Sequence, residues 1–515
     1  MVSSTENRDI SDNATTLDNT MPIRDDKVDK TDAGNVDEAY AAVQGYGDVV
    51  VDAATDRRLL RTIDRHILPI MCVIYGMNYL DKTTLSYSSV MGLRQDLNLQ
   101  GDNYQWLGSL FYFGYLAFEW PTVRLLQMLP IAKYSAFTVI TWGAILTLFS
   151  VVHNFPGAAA LRLLLGMFEA AVTPSWTLIT SQWYKKSEQG FRTCLWFSFN
   201  GWASIIGGLM AYGLAEGGER GHFSIAAWKV LHIITGLLTV ALGVIFFFVV
   251  PDNQLKARWL NEEDRILAVA RVRENQQGIG NKKFKTYQFV EALKDPFAIA
   301  IVIISLAGNI PNGGISNFFN LLIVSFGYTP KQSLLLGTPS GAVQVVTLLI
   351  TGWAGDRFKN RLLISLVGVG FATFGSILLV ALPETAQVGK LIGFYLTLAA
   401  PSGFVIILSL IASNIAGYTK KTTVAAMYLI GYCVGNIVGP QTFRPEHAPA
   451  YFPAIITIFC CYVVCIFCIL FIWFHLRRMN AKKAAIRADP SYVRTENSEW
   501  LDLTDGENPE FIYVL

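Results

Sequence analysis

The sequence WKVLHIITGLLTVALGVIFFFVV at Trp228–Val250 contains one charged residue, Lys229, in 23 positions. A helix needs about 20 apolar residues to cross ~30 Å of hydrocarbon, so this stretch predicts a transmembrane helix. Eleven further stretches have the same character. The twelve lie near Ile67–Ser88, Gln105–Leu126, Ala132–Val152, Ala158–Ser181, Thr193–Leu214, Trp228–Val250, Ala298–Val324, Ser333–Ala354, Leu362–Leu382, Leu391–Ser413, Thr422–Phe443 and Tyr451–Phe474.

These stretches form two sets of six around a charged central loop, which is typical of a transporter built from duplicated bundles. The sequence therefore predicts an all-α polytopic membrane protein with twelve transmembrane helices in two six-helix bundles. A single-span receptor or a membrane-anchored enzyme would have a different pattern. We further predict no cofactor and no metal site, because all seven cysteines fall within the apolar stretches, where packing is their expected role.

Composition supports a protein whose main solvent is the lipid bilayer. The chain is 52% hydrophobic and 16% charged, whereas a typical soluble protein is about 25% charged. The formal net charge of +2 gives no indication of a nucleic acid partner.

The placement of lysine and arginine predicts the orientation in the membrane. With an even number of spans, both termini lie on one side. Outside the central loop, nineteen basic residues flank the spans on that side, against six on the other. Positively charged loops favour the cytoplasm. We therefore expect both termini and the central loop to be cytoplasmic.

The chain divides into five segments. We expect a disordered acidic cytoplasmic tail over residues 1–56, a first bundle over 57–250, a cytoplasmic central loop over 251–296, a second bundle over 297–476 and a cytoplasmic tail over 477–515. The central loop has signals for two short amphipathic helices, one capped by Asn261 and one near Tyr287–Lys294. The apolar residues Phe511–Leu515 at the end of the second tail are suited to docking on another surface.

Charged residues inside the stretches are the first candidates for function. An ionised group at the bilayer centre costs at least about 2.5–3.5 kcal/mol, so each needs a partner or a water-filled cavity. The candidates are Asp81, Lys82, Glu119, Arg162 and Glu169.

Two interpretations of these charges remain open. In the structural one, Asp81 pairs with Lys82 or Arg162, and Glu119 pairs with Arg124, which holds the bundle together. In the functional one, Arg162 or Lys82 binds a carboxylate of the substrate. The coupling proton is then carried by Asp81, Glu169 or Glu119, because loss of hydration favours the protonated carboxyl group.

The seventh stretch contains an unusual number of polar residues for a transmembrane helix. The segment Asn309–Asn320 combines Pro311, a glycine pair and four asparagines. Irregular backbone is tolerated at membrane depth only where protein or cavity water satisfies it, so we expect this segment to line the pathway. The alternative is a kinked helix whose amides bond to neighbours. The candidate cavity-lining residues are Asn200, Asn309, Asn312, Asn317, Tyr428 and Asn436.

The loop after the eighth stretch resembles a signature of the major facilitator superfamily. It reads Gly352-Trp-Ala-Gly-Asp356-Arg357-Phe-Lys-Asn-Arg361, close to G-x-x-x-D-R-x-G-R-R, and departs from it at Lys359. The resemblance implies the major facilitator fold and a gating role for Gly352, Asp356, Arg357 and Arg361. The run Arg162–Gly166 also resembles the fourth-helix motif of that superfamily.

Further motifs resemble the fungal allantoate permease group of the anion:cation symporters. They are Tyr79–Tyr87, Tyr112–Pro121, Phe168–Pro174 and Trp196–Gly201. The likeness covers residues 57–480 and implies proton-coupled import of allantoate, ureidosuccinate, a small peptide or a vitamin acid such as nicotinate. It also implies a plasma-membrane monomer whose partners are a small anionic substrate, protons and the bilayer.

Other functional classes remain open. An exporter of a secondary metabolite by proton antiport would normally carry a G-x-x-x-G-P-x-x-G-G run in the fifth helix, whereas Gly201–Gly208 lacks the proline. A nutrient sensor that does not transport is a third class. An enzyme is disfavoured, because the chain has neither a P-loop nor a G-x-S-x-G motif.

Overall fold

The computed structural model describes residues 51–272, 284–358, 360–489, 492 and 503–515. Most of the predicted disordered tail, residues 1–50, and Lys359 lie outside the described residues. The helix Ala53–His66 begins where the Asp52 side chain accepts hydrogen bonds from the backbone of Ala54 and Thr55. Part of the segment that we expected to be disordered is therefore helical.

Twelve helical segments of the described chain, here called spans 1 to 12, coincide with the twelve predicted stretches. They are Leu68–Val90, Asn103–Met128, Ile131–Leu148, Phe155–Glu169 with Val172–Trp183, Lys186–Glu219, Ala227–Val249, Pro296–Ser325, Pro330–Leu336 with Thr338–Phe358, Arg361–Ala381, Gln387–Thr397 with Ala400–Asn414, Tyr418–Gln441 and Phe452–Arg487. The prediction of an all-α fold with twelve spans in two bundles is confirmed.

Nine of the helical segments in the described ranges are long and apolar enough to cross a membrane by length and composition alone. The other three are spans 1, 2 and 10. Span 10 is divided into two shorter helices, and spans 1 and 2 carry several of the polar residues that line the cavity described below.

Span 4 breaks at Ala170 and Ala171, between its two helices. Pro174 explains this position, because it has no N–H to donate to the carbonyl of Ala170, four residues earlier. Span 7, in contrast, is one continuous helix through Pro311. The side-chain amide groups of Asn309 and Asn317 donate hydrogen bonds to backbone carbonyls four residues earlier in the helix, at 2.6 and 2.8 Å. The expectation of irregular backbone in this segment was therefore wrong.

The two bundles meet along three pairs of spans. Span 1 packs against span 7, span 2 against span 11, and span 5 against span 8. The contact between spans 5 and 8 is backbone to backbone, since a Cβ atom added to Gly201 would lie 2.4 Å from the carbonyl oxygen of Gly341. Glycine at both positions is what allows this approach.

The spans begin and end on two opposite sides of the molecule. The side that includes the start of span 1 and the end of span 12 is here called the terminus face, and the other side the far face. Hydrogen bonds between the bundles of the described chain cluster toward the far face. Gln105 donates to the carbonyl of Phe443 at 2.8 Å, Ser109 donates to that of Ile437 at 2.7 Å, and Lys331 donates to Glu219 at 2.7 Å. The bundles are thus closed against each other on the far face.

Ion pairs on the terminus face join the first bundle to the central loop. Arg271, fully buried, donates to Asp56 at 2.7 Å and also contacts Glu188. Burial alone would raise the pKa of Asp56, but hydrogen bonds from Lys185 and Arg271 outweigh it and lower that pKa. The helix Glu262–Val272 follows Asn261, whose side chain accepts from the backbone N–H of Asp264 at 2.7 Å, as the capping signal predicts.

The glycine contact between spans 5 and 8 is testable by substitution. We expect Gly201→Ala to lower the melting temperature of the purified protein, because the new methyl group forces the two backbones apart, at a cost of about 1–3 kcal/mol. Gly213→Ala on span 5 is the matched control, since nothing lies within 4 Å of its added Cβ. Equal melting temperatures for the two variants would contradict the contact.

Candidate functional site

A cavity of about 180 Å³ lies between the two bundles. Its wall is rich in tyrosines and in side chains that form hydrogen bonds. The polar members are Tyr75, Asn78, Tyr79, Lys82, Tyr112, Tyr115, Thr173, Asn200, Asn309, Asn312, Ser316, Gln344, Thr397, Tyr428, Tyr432 and Tyr462. Both bundles contribute, so a solute bound here would contact both halves of the protein.

Lys82 is the one charged side chain among the described residues that line this cavity. Its ammonium group lies 5.7 Å from the centre of the Phe111 ring. Among the described residues it has no ion-pair partner, although Glu169 and Asp81 lie close enough to interact with it electrostatically. A solute in the cavity can therefore contact this ammonium group.

Arg162, the other predicted anion contact, does not line the main cavity. It borders a neighbouring pocket of about 10 Å³ together with Lys82 and Asn317, which is room for about one water molecule. The side chain is 4% exposed, and its Nε atom has no hydrogen-bond partner. In this structure Arg162 lies behind Lys82, away from the main cavity.

Asp81 and Glu169 are each 1% exposed. Trp142 Nε1 donates to one oxygen of Asp81 at 2.9 Å, and Asn78 Nδ2 donates to one oxygen of Glu169 at 2.7 Å. Among the described residues, the second oxygen of each carboxyl group has no hydrogen-bond partner, and the two groups are close enough to interact electrostatically. Two neighbouring carboxylates repel each other when both are ionised.

The ion pairs of the structural interpretation do not form in the described chain. Asp81 bonds to Trp142 instead of pairing with Lys82 or Arg162. Arg124 donates to Gln127 at 3.1 Å. Glu119 is half-buried with its Oε2 atom unbonded, near Tyr115 and Cys433 at the contact between spans 2 and 11.

The predicted cavity-lining residues divide into two groups. Asn200, Asn309, Asn312 and Tyr428 line the cavity. Asn317 lies outside it, in the small pocket beside Lys82. Asn436 is fully buried and does not line the cavity. It donates to Asn309 Oδ1 at 3.3 Å and to the Tyr432 carbonyl at 2.9 Å, and both of these residues do line it.

Sequence reasoning missed most of the tyrosines, and it missed Asn78, Gln344 and Trp142. A signal for the tyrosines was present: Tyr75 and Tyr79 are four residues apart, a spacing that places them on one helix face. Nothing in the local sequence indicates that Trp142 meets Asp81, since the two lie on different spans.

The predicted gating motif lies at the terminus-face end of span 8. A Cβ atom added to Gly352 would lie 3.0 Å from the sulfur of Cys194 on span 5, so the bundles also approach each other here. The Asp356 side chain lies outside the described residues, and Arg357 is exposed. The backbone N–H of Arg361 donates to the carbonyl oxygen of Leu515 at 2.6 Å.

Comparison with known proteins agrees with this architecture. The pattern of the family described as the Major Facilitator Superfamily matches residues 71–440. An uncharacterized transporter of Schizosaccharomyces pombe is 43% identical over 92% of both chains. The allantoate permease of Saccharomyces cerevisiae is 37% identical over 93% of this chain and 90% of its own.

A solved structure has the same fold. It is a bacterial homolog of the human lysosomal transporter Spinster, with a TM-score of 0.59 at 15% identity, covering 82% of this chain and 97% of that one. The chain therefore belongs to the Major Facilitator Superfamily of transporters, and within it to the group that includes the fungal allantoate permease.

Proposed function

We propose that this transporter imports a small organic anion together with protons, by alternating access. The observation that carries the proposal is the position of Lys82. It is the charged lining residue of the cavity in the described chain, and it lies within electrostatic range of the buried carboxyl groups of Asp81 and Glu169. Transporters of this architecture bind their solutes near the midplane between two repeats.

Anion recognition by Lys82 follows from the cost of an unpaired charge. An ammonium group at membrane depth is stabilised by an opposite charge, and the cavity provides space for that charge on a solute. The surrounding asparagines, Gln344 and tyrosine hydroxyl groups supply donors and acceptors for further polar groups of the same solute. The cavity is smaller than the ~300–1,000 Å³ of typical ligand sites, which favours a small solute.

Proton coupling is assigned to the Asp81–Glu169 pair. Each group has one oxygen fixed by a donor and one oxygen free to hold a proton. Lys82 and Arg162 both lie within electrostatic range of the pair. When an anion neutralises Lys82, the pair loses part of its positive surroundings and binds a proton more readily. Substrate and proton then load together.

The orientation of the chain in the membrane indicates on which side the transporter is closed. We place the terminus face in the cytoplasm on the basis of its basic residues, as predicted from the sequence. The contacts on the far face then close the cavity to the outside. We propose that the protein acts in this way as a monomer in the plasma membrane.

Uptake of radiolabelled allantoate, nicotinate and a dipeptide tests the proposed function. The chain is expressed in cells that lack their own transporters, and uptake is compared at acidic and neutral outside pH. We expect uptake of at least one compound to rise at acidic pH and to collapse with a protonophore. If the protein is at the cell surface and takes up none of them, export or nutrient sensing is favoured instead.

Substitution of Lys82 tests anion recognition. For Lys82→Gln we expect the KM of the transported anion to rise by at least about tenfold, equivalent to about 1.4 kcal/mol, because the charge that meets the anion is lost. Lys229→Gln is the control, since Lys229 lies at the far-face end of span 6 beside Trp228 and does not line the cavity. Unchanged KM in Lys82→Gln would exclude this role.

Substitution of Glu169 tests proton coupling. Glutamine keeps an oxygen for the hydrogen bond from Asn78 but cannot carry the proton. We therefore expect Glu169→Gln to lose acid-stimulated accumulation while it keeps exchange of labelled for unlabelled substrate. Glu384→Gln, at an exposed position between spans 9 and 10, serves as the control. Acid-stimulated accumulation that survives Glu169→Gln would remove Glu169 from the coupling step.

A further inference from the structure

Residues 503–515, here called the tail segment, lie on the terminus face of the second bundle. The segment makes a turn near residues 505–507 and continues without helix to Leu515. The segment forms hydrogen bonds or ion pairs with spans 9, 10, 11 and 12, with the turn before span 11 and with the helix Thr286–Lys294 of the central loop. The five apolar residues at its end, which the sequence marks as suited to docking, are part of this contact.

Asp505 anchors the tail segment through a buried cation. The ammonium group of Lys420, with 2% of its side chain exposed, lies 2.8 Å from Asp505. It is also 2.7 Å from Asp295 and 2.9 Å from Glu291. A buried lysine is costly unless it is paired, so the tail segment supplies one of three carboxylates that stabilise this position.

A second buried lysine donates hydrogen bonds to backbone carbonyl groups of the tail segment. Lys483 is 4% exposed. Its ammonium group donates to the carbonyl of Asn508 at 2.7 Å and also contacts the carbonyl of Asp505. The same group lies 5.4 Å from the Phe511 ring and 5.0 Å from the Tyr513 ring.

Two asparagines hold the extended part of the tail segment as a neighbouring strand would. Asn414 Nδ2 donates to the Val514 carbonyl at 2.8 Å, and Asn414 Oδ1 accepts from the Val514 N–H at 2.7 Å. Asn480 makes the same pair of bonds with Tyr513, both at 2.9 Å. Each amide thus satisfies both backbone groups of one residue, a form of recognition that requires an extended peptide.

The Tyr513 side chain joins the extended end of the tail segment to its turn. It is 5% exposed, and its hydroxyl group donates to Asp505 Oδ2 at 2.9 Å. Burial, together with the neighbouring Asp505, raises the pKa of Tyr513, so the hydroxyl group stays protonated as a donor. Ile512, next to it, is 64% exposed and makes no comparable contact in the described chain.

We propose that Asn414, Lys420, Asn480 and Lys483 form a peptide-binding site whose ligand is a peptide with an aspartate and a tyrosine in the spacing of Asp505 and Tyr513, turned after the aspartate and extended at the tyrosine. In this structure the chain's own tail segment occupies the site. Because the Leu515 carbonyl accepts from the N–H of Arg361, an occupied site also holds the start of span 9, at the last residue of the predicted gating motif. A competing peptide that lacks the position of Leu515 would therefore release that part of the chain.

The proposal can be tested in the full-length chain without any transport substrate. The tail segment is disabled by Asp505→Lys with Tyr513→Ala, and binding of a synthetic peptide of residues 503–515, labelled at its amino end, is followed by fluorescence anisotropy. We expect saturable binding to this variant and little binding to the unmodified chain, whose own tail segment competes at an effective concentration in the millimolar range.

A matched pair of lysines gives the control. Added to the tail-disabled chain, Lys483→Ala should weaken peptide binding by at least about tenfold, whereas Lys482→Ala, at an exposed position next to it, should not. A peptide with the Ile512→Ala change should bind normally. Absence of peptide binding to the tail-disabled chain, or equal losses for the two lysine variants, would overturn the proposal. Neither result depends on whether the protein imports an anion.

Hydrogen exchange gives a second readout. In the tail-disabled full-length chain, the amide of Arg361 loses its acceptor and should exchange faster than in the unmodified chain. Addition of the synthetic peptide should restore the slow rate. The amide of Tyr134, which donates to the Pro130 carbonyl near the start of span 3, should not change. If the Arg361 amide exchanges at the same rate in the tail-disabled and unmodified chains, the site does not hold span 9.

Discussion

The hydrocarbon core of a membrane does not solvate charge, and the first bundle nevertheless contains Asp81, Lys82, Arg162 and Glu169 at depth. Each would cost at least about 2.5–3.5 kcal/mol if left alone. In the described structure, these charged groups do not form close ion pairs with one another. It holds the two carboxyl groups by hydrogen bonds from Trp142 and Asn78 and leaves Lys82 facing a cavity. A cluster compensated in this incomplete way can respond to a proton or an anion.

The two bundles contribute different chemistry to the cavity. The charged groups belong to the first bundle, whereas the second contributes uncharged side chains such as Asn309, Asn312 and Gln344. A solute held between them can be bound by charge on one side and by hydrogen bonds on the other. The close contacts of Gly201 with Gly341 and of Ser109 with Ile437 join the two bundles.

The sequence predicted the spans well because most of them are long apolar runs, and Pro174 explains the break in span 4. It did not separate Lys82 from Arg162 as the cavity cation, because helix spacing places a residue on a face but does not show how far the face lies from the cavity. The role of Trp142 and the partners of the tail segment depend on contacts between distant parts of the chain, such as Asn414 with Val514. Local patterns do not contain that information.

The central claim is that anion and proton cross together through the Lys82 cavity. The most direct test is proteoliposomes that contain the purified protein and an internal pH-sensitive dye, with labelled substrate and internal pH followed in the same sample. Our account predicts that adding the transported anion outside, with no imposed pH gradient, acidifies the interior in proportion to uptake. Uptake of the anion with no change in internal pH would contradict it.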